Sequence, residues 1–147
     1  MGRGFPEYCG MGGDVTKRIP PTPLVLVVEV DPDIRELLVF FLTRAGFDVQ
    51  AVADGRELLQ WLERVKGPVI VVSDINPPYV SGGELLTHIR ERGLRSVRVV
   101  FLTSRTQEKE AVRMLEAGAE DFLRRPFYPR ELVARLKKIG ERICAGG

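Results

Sequence analysis

From Leu24 onward, short apolar runs alternate with longer stretches whose apolar positions follow a helical period. LVLVV (24–28) is all leucine or β-branched, the composition of a strand buried on both faces. DPDIRELLVFFLTRAGF follows, with Asp31 placed to cap a helix, Pro32 suited to its first position and Gly46 to its end. FDVQAV is a second, more polar strand, which suits a sheet edge. A second helix is predicted over 54–66, opened by Asp54 and Glu57 in capping-box spacing and closed by Gly67-Pro68. VIVV (69–72) is the third strand, and Ser81 with Glu84 opens the helix GELLTHIRERG. VRVVFL is the fourth strand, and a helix over 107–117 stops at Gly118. AEDFL then gives a short fifth strand, and PRELVARLKKIGERI the last helix.

Five strands and five helices in strict βα order predict an α/β fold. The expected form is a flavodoxin-like, doubly wound parallel sheet of order 2-1-3-4-5 with helices on both faces. Such sheets place chemistry at the carboxyl ends of their strands. Asp74 ends the third strand, Glu29 follows the first, and Thr103 and Ser104 follow the fourth, so polar residues converge on one rim. Asn76-Pro77-Pro78 turns the chain sharply just after Asp74.

Length and charge narrow the picture only modestly. A chain of 147 residues, 44% of them hydrophobic, fills one core. Its net charge of +2 comes from interleaved signs and calls for neither nucleic acid nor membrane. Cys9 and Cys144 are placed in the terminal tails, which suits neither a disulfide framework nor a metal site and fits a reducing cytoplasm. Residues 1–23 are rich in Gly and Pro without a signal-like apolar run and read as a flexible leader, with Met11 an alternative start. Residues 144–147 read as a tail, leaving one domain over 24–143. No stretch approaches the roughly 18 apolar residues of a membrane span, so a soluble protein is expected.

Four segments, VVEVDPDIRELL, VVSDINPPYVSG, VVFLTS and AGAEDFLRRPF, stand in the order and at the intervals of one family. Over Leu24 to about Arg142 the chain resembles a response-regulator receiver domain of bacterial two-component signalling. The resemblance implies a cytoplasmic signalling module that is no enzyme beyond catalysing its own phosphorylation and dephosphorylation. Asp74 is then the phospho-acceptor, taking a phosphoryl group from a histidine kinase or small phosphodonor as an acyl phosphate. Magnesium is held by Glu29, Asp74 and the Asn76 backbone carbonyl, with Asp31 as a further candidate. Thr103 and Arg125 bind the remaining phosphoryl oxygens. Thr103 and Phe122 form the switch, biasing an equilibrium between two surface arrangements. The output face is the fourth helix, fifth strand and last helix, carrying Lys109, Glu110, Arg113, Glu120, Asp121, Glu131 and Arg135. It serves a protein target or a homodimer, with no direct contact to nucleic acid or membrane. The Arg125-Pro126 bond is expected cis by the same resemblance.

Two positions depart from the family pattern. Val30 stands where a second acid is usual, so magnesium binding is expected to be weak or absent. Arg125 stands where a Lys is usual, and its planar fork suits a clamp on Glu29 and Asp74 together. Two alternatives therefore stay open. One is a pseudo-receiver, a constitutive protein-binding module that works without phosphate. The other, disfavoured because no Gly-rich loop follows the first strand, is a small flavodoxin-like enzyme or nucleotide binder. His88 is expected as a solvated helix residue and Trp61 as packing against the sheet, while Tyr128 leaves the last helix without a side-chain cap.

Overall fold

A computed structural model describes residues 23–144. The predicted leader with Cys9 and Met11 therefore lies, but for Pro23, outside the described residues, as do the last three residues of the tail. The elements alternate strictly: β1 (Leu24–Val28), α1 (Pro32–Arg44), β2 (Asp48–Val52), α2 (Gly55–Arg64), β3 (Val69–Asp74), α3 (Gly82–Glu91), β4 (Val97–Thr103), α4 (Glu108–Glu116), β5 (Asp121–Arg124) and α5 (Pro129–Cys144). All strands are parallel, in the order β2-β1-β3-β4-β5. The polar segment DVQAV does form an edge strand, paired along one flank only, and four of its five residues are half-buried.

The strands are apolar on both faces because both faces carry helices. Val25, Val27, Ile70, Val72, Val100 and Leu102 pack with Leu38 and Leu42 of α1 and Leu132, Leu136 and Ile139 of α5. The alternate residues Leu26, Val28, Val71, Val99 and Phe101 pack with Leu58 and Leu62 of α2, Leu85 and Leu86 of α3, and Ala111 of α4. The period of two along each strand thus assigns α1 and α5 to one layer and α2, α3 and α4 to the other. Trp61 packs against the second of these cores, as expected.

Boundaries shift where side chains reach back to the backbone. β3 runs two residues past the predicted VIVV and contains Asp74, which pairs with Leu102 in β4. A 3-10 turn at Arg105–Gln107, with Ser104 and Gln107 capping each other, precedes α4. Glu57 accepts from the Ala53 N–H, so the cap of α2 is spread over one more residue than a simple box. α5 continues through Cys144, so that residue ends a helix and does not open a tail. Its first turn closes on the Tyr128 carbonyl, which accepts from the Glu131 N–H.

Candidate functional site

Three strand ends build the rim. Glu29 leaves β1 with its N–H bonded to the Val52 carbonyl, and its side chain is only 4% exposed. Asp74 closes β3 beside Ser73, whose buried hydroxyl donates to the Asp74 carbonyl at 2.8 Å. Thr103 closes β4, is buried, and accepts the Arg125 N–H on its carbonyl at 2.8 Å. That last bond carries the β4–β5 pairing one step past Arg124 and fixes where the Arg125 side chain begins.

Arg125 then reaches across the sheet. Its Nη2 donates to Asp74 Oδ1 at 2.7 Å and lies 3.4 Å from Glu29 Oε1. The clamp that the arginine fork suggested is thus formed, holding two carboxylates that would otherwise repel each other. Glu29 is further satisfied by the Asp31 N–H on Oε2 at 3.1 Å, while Arg35 donates to the Glu29 carbonyl at 2.7 Å. Burial pushes the half-buried Asp74 carboxyl above its ordinary value near 3.8; Arg125 pulls it back and Glu29 adds to the rise.

The two residues after Glu29 add no carboxylate to the pair. Val30 is 57% exposed, presenting hydrocarbon to solvent where a carboxylate was expected. Asp31 is exposed and caps α1, accepting from the N–H groups of Asp33 and Ile34. Among the described residues, no three acids, histidines or cysteines gather as a ready-made metal site. The groups that could hold a metal here are the Glu29 and Asp74 carboxylates and the carbonyl predicted at Asn76. Such a set fits magnesium, which is commonly bound through one or two carboxylates and keeps several waters.

The loop after Asp74 is braced at both ends. Gly82 donates its N–H to the Ile75 carbonyl and Gly55 donates to the Pro78 carbonyl. A Cβ at Gly82 would run into the Ile75 carbonyl and the Phe101 ring, so the close approach requires glycine. Tyr79 adopts a φ of 73° and is well exposed, and the Arg56 guanidinium stacks 3.7 Å from its ring centroid. The Asn76 side chain turns to α4 and donates to Glu110 Oε2 at 3.0 Å. Sequence reasoning missed that link, because nothing in the spacing of two polar residues so far apart signals it.

On the predicted output face, Phe122 is partly buried against the α2-α3-α4 core, next to Phe101 in register. Arg135 bridges Asp121 at 2.7 Å and Glu131 at 3.2 Å, and Glu120 pairs with Arg142 at 2.7 Å and Arg98 at 3.4 Å. Lys109 and Arg113 are exposed on α4. His88 requires a correction: its side chain is only 20% exposed, because α3 turns it toward α2, where Nε2 lies 3.4 Å from Glu63. The Arg125-Pro126 peptide is cis.

A doubly wound five-stranded sheet with an acid pair, a strand-end hydroxyl and a cation on one rim defines a phospho-acceptor class of signalling module. The response regulator receiver domain profile matches residues 25–137, and the chain belongs to that family. It is 38% identical over 120 residues to the phosphate regulon transcriptional regulatory protein PhoB of Escherichia coli, covering 81% of this chain and 52% of that one. It is 37% identical over 115 residues to the alkaline phosphatase synthesis transcriptional regulatory protein PhoP of Bacillus subtilis, covering 78% and 47%. The chain spans about half the length of these curated relatives. Among solved structures, the receiver domain of the TMAO respiratory system response regulator TorR superimposes with a TM-score of 0.73 at 30% identity, covering 82% of this chain and 98% of that one. The chain is therefore a signalling domain of two-component phosphorelay, not an enzyme of metabolism. Among the described residues, no helix is long and apolar enough to cross a membrane.

Proposed function

We propose that Asp74 is the phosphoryl acceptor and that Arg125 is a latch which must let go of Glu29 before the site is filled. The observation that carries this reading is the single guanidinium placed 2.7 Å from Asp74 and 3.4 Å from Glu29. In-line attack requires an ionised carboxylate on a rigid support, and β3 supplies one, with Asp74 held by strand pairing up to its own position. Receiver domains hold magnesium in this acidic pocket; here Glu29, Asp74 and the Asn76 carbonyl would hold it, and it would neutralise charge on the transferred group. Val30 contributes nothing to that pocket, so the affinity is weaker than with a second acid.

After transfer, Arg125 and the Thr103 hydroxyl bind the phosphoryl oxygens. The Arg125 cation turns from two carboxylates to one new dianion, which gains charge-assisted hydrogen bonds. Thr103 moving toward the site leaves room beside Phe101 that Phe122 fills by rotating inward. As Phe122 has no hydroxyl, packing alone separates its two positions. A change from about 1:99 to 99:1 requires roughly 5.5 kcal/mol of differential binding. The face of α4, β5 and α5 then presents a protein target or a second copy with a different arrangement of Lys109, Glu110 and Arg113. The phosphodonor is a histidine kinase or a small-molecule donor, and the setting is the cytoplasm.

The exposed Val30 and the closed Arg125 clamp favour a second reading, in which the latch never opens and the domain binds its partner without phosphate. Beryllofluoride, which mimics a phosphoryl group on a carboxylate, separates the two. Added with magnesium to the 15N-labelled chain, it is expected to shift the amides of Asp74, Thr103 and Phe122, and to do nothing in Asp74→Asn. An unchanged spectrum in the native chain sinks the acceptor reading and leaves the constitutive one.

A further inference from the structure

All five strands are parallel, so their amino ends share the edge of the sheet opposite the phosphoryl rim. There β3 and β4 start side by side, Val69 paired with Val97, and the Val69 N–H donates to the Ser96 carbonyl at 3.0 Å. The turns that lead into these strands, residues 64–68 and 90–96, are therefore neighbours. RVKGP and RERGLRS carry five cations, Arg64, Lys66, Arg90, Arg92 and Arg95, all of them exposed, against one acid, Glu91. The net charge of +2 over the whole chain conceals this local excess.

Most of these cations have no use within the fold. Arg92 holds Glu63 at 2.7 Å and so ties the end of α2 to the end of α3. Among the described residues, Arg64, Lys66, Arg90 and Arg95 stand in no ion pair with a carboxylate. A cation in the last turn of a helix offsets the negative end of its dipole, which accounts for Arg64 on α2 and Arg90 on α3. Lys66 and Arg95 lie beyond both helices, where that explanation does not reach. Arg95 is also held in place, its N–H donating to the Gly93 carbonyl at 2.9 Å and its carbonyl accepting from Arg98. The apolar residues of the two turns face the other way: Val65 and Leu94 pack on the core, and no large apolar side chain of either turn is exposed.

Exposed cations without an apolar anchor decide between partners. A protein interface is centred on buried aromatic or aliphatic side chains, and a membrane-surface contact on apolar ones that insert. This edge offers neither. A nucleic-acid duplex needs neither, because Lys and Arg bind its phosphates through release of condensed counterions. We propose that the edge formed by residues 64–68 and 90–96 is a contact surface for the phosphate backbone of a nucleic-acid duplex, made without reading its sequence. Four of the five cations are arginines, whose planar fork binds two phosphate oxygens at once. With about four phosphates engaged, the contact is weak at physiological salt and fixes position on the duplex, not base sequence.

The test uses the full chain and a fluorescein-labelled DNA duplex of arbitrary sequence, with fluorescence anisotropy read between about 20 and 200 mM salt. The logarithm of the affinity is expected to fall against the logarithm of salt with a slope of about −4. Lys66→Gln and Arg95→Gln, both outside helices and strands, should each make that slope shallower by about one. The triple variant Arg64→Glu, Lys66→Glu, Arg95→Glu should bind at least about tenfold more weakly. Arg130→Glu, Lys137→Glu, Lys138→Glu changes the net charge equally on exposed positions of α5 and should bind within about threefold of the native chain. Circular dichroism checks the folding of both triple variants, and the two single Gln variants carry the test by themselves if either fails. No binding at the lowest salt, equal loss in the two triple variants, or an unchanged slope in the Gln variants would overturn the proposal. So would tighter binding to vesicles of anionic lipid or to polyglutamate than to the duplex at equal charge, which would assign the edge to a membrane or to an acidic protein.

Discussion

Asp74 and Arg125 are the residues on which the site turns, and the burial of Asp74 has a cost that can be read out by pH. Burial raises the Asp74 carboxyl above its ordinary value, against the opposing pull of Arg125. The folded protein therefore binds this proton more tightly than the unfolded chain. The stability it contributes is present below the unfolded value near 3.8 and is lost as pH rises through the higher folded value. Asp74→Asn, which never ionises, is expected to melt at a higher temperature than the native chain at neutral pH, the gap shrinking toward pH 4. Thermal melts across that range check it, and a native chain more stable than the variant at neutral pH would show that the Arg125 pair outweighs burial. Val30 gives a second expectation. Val30→Asp restores an acid beside Glu29 and should tighten magnesium about tenfold, or ~1.4 kcal/mol, in isothermal titration.

Much of this was legible in the sequence for a physical reason: strand-end residues are set by register, and register follows from the apolar runs. Glu29, Asp74 and Thr103 reach one rim because three parallel strands end together there. The Arg125 clamp followed from the family resemblance that places Arg125 at the site together with its side-chain shape, although a single nitrogen, Nη2, makes both contacts. The partner choices of Asn76, His88 and Arg135 did not, because a long polar side chain has several acceptors within reach and only the packed helices select one.

At the scale of elements, the loop from β3 to α3 has least freedom. Ser81 and Glu84 form a complete capping box, and Gly82 is held against the Ile75 carbonyl and Phe101. Ser81→Ala is expected to cost about 1 kcal/mol. Gly82→Ala should cost about 1–3 kcal/mol, because the added methyl meets backbone and a buried ring. Urea midpoints should fall in that order with unchanged slope. Equal effects would mean that the loop yields to the methyl. Capping signals placed the starts of α1, α2 and α3 in the sequence to within about two residues, whereas the 3-10 turn before α4 was invisible because its cap, Ser104 with Gln107, reads equally well as the start of an α-helix.

For the whole molecule, the two layers divide the work. The α2-α3-α4 layer meets the acceptor loop through Asn76 and Glu110 and receives Phe122, so a change at Asp74 reaches it through contacts already made. The α1–α5 layer instead leaves Ile34, Leu37 and Phe41 of α1 exposed. The central claim is that the altered pocket still accepts phosphate on Asp74. Intact mass after incubation with acetyl phosphate and magnesium tests it most directly. The account predicts the gain of one phosphoryl group, absent in Asp74→Asn and absent without magnesium. A native chain that stays unlabelled while folded, or an Asp74→Asn variant that labels equally, would contradict it.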